Sequence, residues 1–245
     1  HFIIVVGYQF KDVELLDDNN RYASIDLGLN NLMTVSSNVI KPFIINGKPI
    51  KSINQYYNKS IAYFKSRLPK NHKTSRQIHR LYQRRNQKIE DYLHKSTTQL
   101  VNHLVSNHIH TLIIGYNKGW KQDINIGKRN NQNFVGVPFG RIIRILTYKC
   151  ENIGIRVILQ EESYTSKCSF LDNEDIGKHS TYLGRRIKRG LFKSNENKKI
   201  NADLNGALNI LKKYLISKEV WNEKIFSDCI EVCSRPTLRK YTISF

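Results

Sequence analysis

INADLNGALNIL, residues 200–211, puts a carboxylate, Asp203, at the start of an amphipathic helix, with Asn201, Asn205 and Asn209 recurring every four residues beside it. A second carboxylate, Asp26, ends the first strong strand pattern, RYASIDLGLNNLMTV, residues 21–35. Apolar and polar residues alternate there with the period of a half-buried strand. A strand-end Asp and a distant helix-start Asp, in a chain of formal net charge +20, point to two-metal chemistry on a phosphodiester. That chemistry gathers carboxylates from far-apart segments around two Mg²⁺ ions about 3.5–4 Å apart.

Working outward, residues 21–27, 31–37 and 42–46 read as three strands joined by short turns, an antiparallel meander. A helical section follows over 49–107, broken near Pro69 and Asn71. Its second part carries Ile78, Leu81, Tyr82, Ile89, Tyr92, Leu93, Leu100, Val101 and Leu104 at helical spacing. Arg76, Arg80, Arg84 and Lys88, each four residues from the next, form a basic stripe on the other face. Residues 111–115 read as a short buried strand, 138–153 as a helix ended by Gly154, 155–160 as a strand and 202–216 as the last helix. Residues 163–199 read as polar, irregular and basic, with a hairpin around 184–193. Residues 2–15 read as one or two strands closing a preceding β unit. This order is that of an α/β, RNase H-like fold: a mixed five-stranded sheet with flanking helices and a long helical insertion.

The chain of 245 residues is 40% hydrophobic, enough for a real core. Residues 27–89 hold thirteen Lys or Arg and no Asp or Glu, a block suited to neutralising phosphates. A solvated basic face is the plainer reading, but an ordinary surface mixes both signs. Cys150, Cys168, Cys229 and Cys233 make no Cys-x-x-Cys pair. There is no signal peptide and no run of 18 apolar residues. These features lead us to expect a cytoplasmic, nucleoid-associated bacterial protein with reduced thiols and no membrane partner.

Five motifs occur in order: RYASIDLGLNNLMTV, NKGWKQDINIGKRNNQNFVGVPF, EESYTSKCSFLD, GRRIKRGLFKS and INADLNGALNIL. Together, over about residues 21–216, they resemble the RuvC-like nuclease half of the TnpB (OrfB) proteins of insertion sequences. Those are RNA-guided DNA endonucleases related to type V CRISPR effectors. The resemblance implies an RNase H-like nuclease, two Mg²⁺ ions, a guide RNA from the transposon end and double-stranded target DNA. It also implies an N-terminal lobe, so residues 1–20 are expected to end a β-barrel lobe, with a separate lobe or partner transposase as a further partner. Residues 21–216 would be the nuclease domain and 217–245 a C-terminal tail.

Asp26 matches the first catalytic carboxylate of the family and Asp203 the third; the plainer readings are a turn aspartate before Gly28 and a helix cap. The second departs from the pattern. The family ends the strand after the long helix with Glu, and here that position is Gly115. Glu161 and Glu162 end the next strand, immediately before YTSK. Strand alternation lets one of them face the metals, and Glu162 is the expected ligand with Glu161 in reserve. The competing reading is that neither binds metal, leaving a nuclease-inactive RNA-guided DNA-binding protein or a decayed fragment. Many family members carry a four-cysteine zinc ribbon, but residues 163–200 hold only Cys168, so no zinc is expected.

Further nucleic-acid contacts are expected at Arg185, Arg186, Lys188 and Arg189, a dense cationic patch whose alternative is a disordered loop. Lys118, Trp120 and Lys121 interleave an aromatic with cations, as base stacking requires, although core packing of Trp120 serves equally. Thr165, Ser166 and Lys167 are candidates for phosphate oxygens.

Overall fold

The protein is described by a computed structural model over residues 4, 7, 13–117, 119, 127–233 and 239–242, without the side chains of 128–130 and 239. Lys118, Trp120 and Lys121 lie outside the described residues.

Three strands form first in the chain: β1 Tyr22–Leu27, β2 Asn31–Ser37 and β3 Phe43–Asn46, paired antiparallel as a meander. Helices α1 Lys48–Lys65 and α2 Arg76–Ser106 follow. Ser75 caps α2 by accepting a hydrogen bond from the Ile78 amide. Strand β4 Thr111–Tyr116 then pairs parallel with β1. After α3 Lys128–Val135 and α4 Phe139–Glu151, strand β5 Arg156–Glu161 pairs parallel with β4. A small antiparallel sheet of β6 Arg185–Lys188, β7 Leu191–Lys193 and β8 Lys199–Asn201 leads into α5 Ala202–Ser217. The chain continues into α6 Glu223–Cys233 and β9 Arg239–Tyr241.

The main sheet has the order β5-β4-β1-β2-β3-β9. Its first five strands are the expected mixed sheet, and the fold is RNase H-like. The sixth strand was not expected, nor was α3; Cys229 and Cys233, four residues apart, share helix α6 as their spacing suggests. Residues 217–233 and 239–241 are part of the fold: Ile225 and Cys229 are buried, and β9 pairs parallel with β3. Residues 13–20, expected in part as strand, run without strand pairing; the Leu16 amide donates to the Gly154 carbonyl and Asn19 to that of His108. The rest of 2–12 lies mostly outside the described residues.

Alternation along β1 builds the two cores. Ala23, Ile25 and Leu27 face one side, where α2 and α4 contribute Leu93, Leu100, Ile142 and Leu146. Tyr22 faces the other side with Ile113 of β4, against Leu204, Leu208 and Leu211 of α5 and Phe170 and Phe192 beyond them. Asp26, two residues after Ser24, points to this second side, so α5 crosses directly over it. The Ser24 hydroxyl donates to the Ala207 carbonyl at 2.6 Å, fixing that crossing. In α2 the apolar stripe is buried at Ile78 and from Ile89 to Leu104, whereas Tyr82, expected in the stripe, is 49% exposed.

The candidate carboxylate site

Strands β1, β4 and β5 are parallel, so their C-terminal ends meet at one edge, which is where open α/β sheets place functional groups. Asp26 is at the end of β1, Gly115 near the end of β4 and Glu162 one residue past β5. Helix α5 delivers Asp203 in its first turn to the same place.

Asp26 retains some solvent-accessible surface, yet protein atoms surround its carboxylate. Burial pushes its pKa well above the ordinary aspartate value, and the Glu162 and Asp203 carboxylates push it further, while Arg186 opposes them. Three carboxylates therefore sense one another here.

Two glycines make the room. A Cβ on Gly206 would lie 2.8 Å from Oδ2 of Asp26, so α5 reaches this close only without a side chain there. A Cβ on Gly115 would lie 2.7 Å from Oε2 of Glu162 and 2.4 Å from Cδ1 of Ile210. The Glu162 carboxylate thus fills the space that a side chain at 115 would enter. Asn117, just past β4, orients it by donating to Oε1 at 3.1 Å.

Glu161 goes elsewhere. Lys213 of α5 donates to its Oε2 at 2.5 Å, and the Ser163 amide and hydroxyl donate to the same carboxylate. Lys213 foremost, with Ser163, holds the Glu161 carboxyl below its ordinary pKa against the cost of burial. Asp203 is not the helix cap; Asn201 is, accepting from the Asp203 and Leu204 amides. Asn31 donates to Oδ2 of Asp203 at 2.8 Å, Lys240 of β9 donates to Asn31, and Arg186 of β6 stands 3.7 Å from Oδ1.

The asparagines of the 200–211 motif have a structural purpose that their spacing alone did not reveal. Asn205 and Asn209 are fully buried. Asn205 donates to the Cys168 carbonyl and accepts from the Phe170 amide; Asn209 donates to the carbonyls of Thr165 and Cys168. They clamp the turn that follows Glu162. Thr165, expected as a phosphate contact, is buried and donates its hydroxyl to the Glu162 carbonyl at 2.8 Å. It positions Glu162 and is not available to a phosphate. Ser166 and Lys167 are exposed, as are Arg185, Arg186, Lys188 and Arg189. Arg76, Arg80, Arg84 and Lys88 are exposed along α2, far along the chain from this edge.

Among the described residues no three His, Cys, Asp or Glu side chains already stand close enough to hold a metal ion as placed. Asp203 is turned onto Asn31 and Arg186. The donor set nevertheless fits a hard divalent cation, which takes carboxylate oxygens and water. The hydroxyl of Thr34, opposite Asp26 in the β1–β2 register, is buried with no hydrogen-bond partner, as a site missing its water would leave it. In the 163–200 segment Cys168 is buried and alone, its thiol on the Gly177 carbonyl at 3.7 Å.

Comparison with known proteins agrees with the fold. A family model described as "Probable transposase", for OrfB of the IS605 type, matches residues 7–121, and a model for a Cas12f1-like TNB domain matches residues 139–210. A TnpB-like protein of Acidianus two-tailed virus is 25% identical over 206 residues, covering 79% of this chain and 42% of that protein. A cryo-EM structure of a Cas12f1–sgRNA–target DNA complex superposes with TM-score 0.60 at 17% identity, covering 80% of this chain and 50% of that one. A CRISPR-Cas12f ternary complex gives 0.59 at 16%, covering 84% and 41%. The chain spans half or less of the length of these relatives. Two family models thus align in order along the chain, the OrfB model over residues 7–121 and the Cas12f1-like TNB model over 139–210, and the chain is similar to the TnpB (OrfB) family over most of its length.

Proposed function

We propose that this chain is the nuclease part of a transposon-encoded, RNA-guided DNA endonuclease, with Asp26, Glu162 and Asp203 holding Mg²⁺. The observation that carries the reading is the convergence of those three carboxylates beneath α5, with Glu162 in the space that Gly115 leaves. A relative supports the partners: one superposed structure is of a complex with sgRNA and target DNA. The net charge of +20 supports a polyanionic partner.

In this reading Asp26, packed against Gly206 of α5, is the innermost ligand and gives up its proton when the cation binds. Asn117 and the Thr165 turn aim Glu162, and Asn31 aims Asp203. Arg186, on an exposed hairpin, would move from Asp203 to a phosphate oxygen when DNA enters, freeing the carboxylate for the cation. Divalent metal, when bound, supplies an activated water and stabilisation of the leaving 3′ oxygen. The exposed cations of β6 and the following turn, Arg185, Lys188 and Arg189, would hold the strand in register. Residues 21–216 would carry this activity, and guide and target recognition would draw on the rest of the protein.

A second reading, a guide-dependent DNA binder that does not cut, draws support from Gly115 and from the absence of a preformed three-ligand group among the described residues. One experiment separates them. In the guide-loaded full-length protein, Asp26→Ala and Asp203→Ala should each abolish Mg²⁺-dependent cleavage and leave nucleic-acid affinity within about twofold, because affinity rests on many spread cations. A wild-type complex that binds its target but never cuts it would favour the non-cleaving binder.

A further inference from the structure

Between α1 and α2, away from the carboxylates, the helices part to leave a cleft of about 420 Å³. Ile53 and Leu81 form its apolar floor, and Tyr56 and Tyr57 line one wall. Arg84 and Lys88 stand on its rim from α2. Tyr56 is 69% exposed, its ring open to a planar partner from outside. Behind it the wall is rigid. The Arg85 guanidinium lies over the Tyr57 ring at 5.3 Å and donates to Oδ1 of buried Asn54 at 2.7 Å and to the Gly136 carbonyl. Among the described residues no acidic side chain lines the cleft, and residues 27–89 hold none.

Resting on the nucleic-acid reading above, we infer that this cleft receives an unpaired base of a single nucleic-acid strand, stacked on Tyr56, with the flanking phosphates on Arg84 and Lys88. A concave, apolar-floored slot with an aromatic wall suits one planar ring, and a slot of roughly this volume is common for small planar ligands. A paired duplex keeps its bases stacked inside and cannot offer one. The rim cations at one-turn spacing match a backbone that runs along α2. An acidic peptide would satisfy the cations and leave the tyrosine face exposed, so the aromatic wall selects the strand.

The test uses the 245-residue chain in EDTA, so that nothing is cut, with a short single-stranded RNA carrying one central 2-aminopurine. Matching single-stranded DNA, an abasic RNA and a duplex are run beside it. Wild type should quench the 2-aminopurine. Tyr56→Ala should lose the quench and about tenfold in affinity for the base-bearing strand, with no change for the abasic strand or the duplex. Tyr56→Phe, which keeps the ring, should behave as wild type. Arg84→Ala with Lys88→Ala should lower the salt slope by about 1.4. A larger loss on RNA than on DNA assigns the slot to the guide, and equal losses assign it to any unpaired strand. The inference is overturned if Tyr56→Ala binds and quenches like wild type, if it loses equally on the abasic strand, or if poly-glutamate displaces the RNA from the slot. A chain that binds none of these probes overturns the slot, whereas the proposed function falls only if the guide-loaded full-length protein fails to cut. Loss of cleavage in Asp26→Ala with this binding intact leaves the slot standing.

Discussion

The Asp26 carboxylate sits where its charge is costly. Burial raises its pKa, and Glu162 and Asp203 add to the rise. The folded state therefore holds a proton that the unfolded chain gives up near the ordinary aspartate value. Without metal, stability is greatest at acid pH for this group and falls as pH climbs from the unfolded pKa through the raised folded one. Asp26→Asn removes that penalty. In EDTA at neutral pH it should melt above wild type, by about 2–4 °C for each kcal/mol relieved, and the gap should close as pH falls toward 4. A variant that melts below wild type at neutral pH in EDTA would place Asp26 in an uncrowded, solvated position. At this scale the sequence is informative for Asp26 and Asp203, because each ends or begins a regular element. Gly115 stands where the resembled family has Glu, and the sequence offers Glu161 and Glu162 one strand over, of which Glu162 is the proposed ligand. What the sequence does not disclose is why Glu162 and not Glu161 turns inward. Lys213 decides that by taking Glu161, a contact between residues 52 positions apart. Thr165 is misjudged for the same reason: its hydroxyl is spent on a carbonyl three residues back, which composition cannot show.

At the scale of elements, the segment between β5 and α5 lacks the thiolates of a zinc ribbon and is held by a buried cation instead. The Lys212 ammonium, 1% exposed, donates to the Asn173 carbonyl and side chain and to the Glu174 carbonyl, and lies 5.6 Å from the Trp221 ring. The buried Glu174 carboxylate accepts from the Ser169 and Leu183 amides, closing the loop from both ends. Lys212→Met should therefore remove all three bonds, strand the buried Glu174 carbonyl and cost about 1–3 kcal/mol. It should open 163–200 to limited proteolysis before the main sheet melts; cleavage unchanged from wild type would show that the cation is not what holds the segment. The strands of the main sheet are legible because alternation runs over four to seven residues in β1, β2 and β3. In the small sheet the hairpin expected around 184–193 is present as β6 and β7, but the third strand is not legible, since KIN is three residues long and mostly polar. Strand β9 escapes for a related reason: three residues, with pairing to β3 nearly two hundred positions earlier, carry no local signal.

Over the whole molecule, charge and chemistry are divided. The acid-free stretch 27–89 supplies α1 and the exposed start of α2, whereas the clustered carboxylates lie across the sheet under α5. No helix among the described residues is long and apolar enough to cross a membrane. The sheet order follows from a meander plus two parallel additions, which is why element order alone identifies the fold; the chemistry then depends on whether three side chains from 26, 162 and 203 share a cation. Thermal unfolding of the 245-residue chain with and without Mg²⁺ tests that sharing most directly, since a cation that binds only the native state raises its melting temperature by mass action. At ten times Kd the gain is about 1.4 kcal/mol, or roughly 3–5 °C in a chain of this size. Wild type and Glu161→Gln should show the rise, and Glu162→Gln and Asp26→Asn should not. An undiminished rise in Glu162→Gln, or its loss in Glu161→Gln instead, would contradict the account.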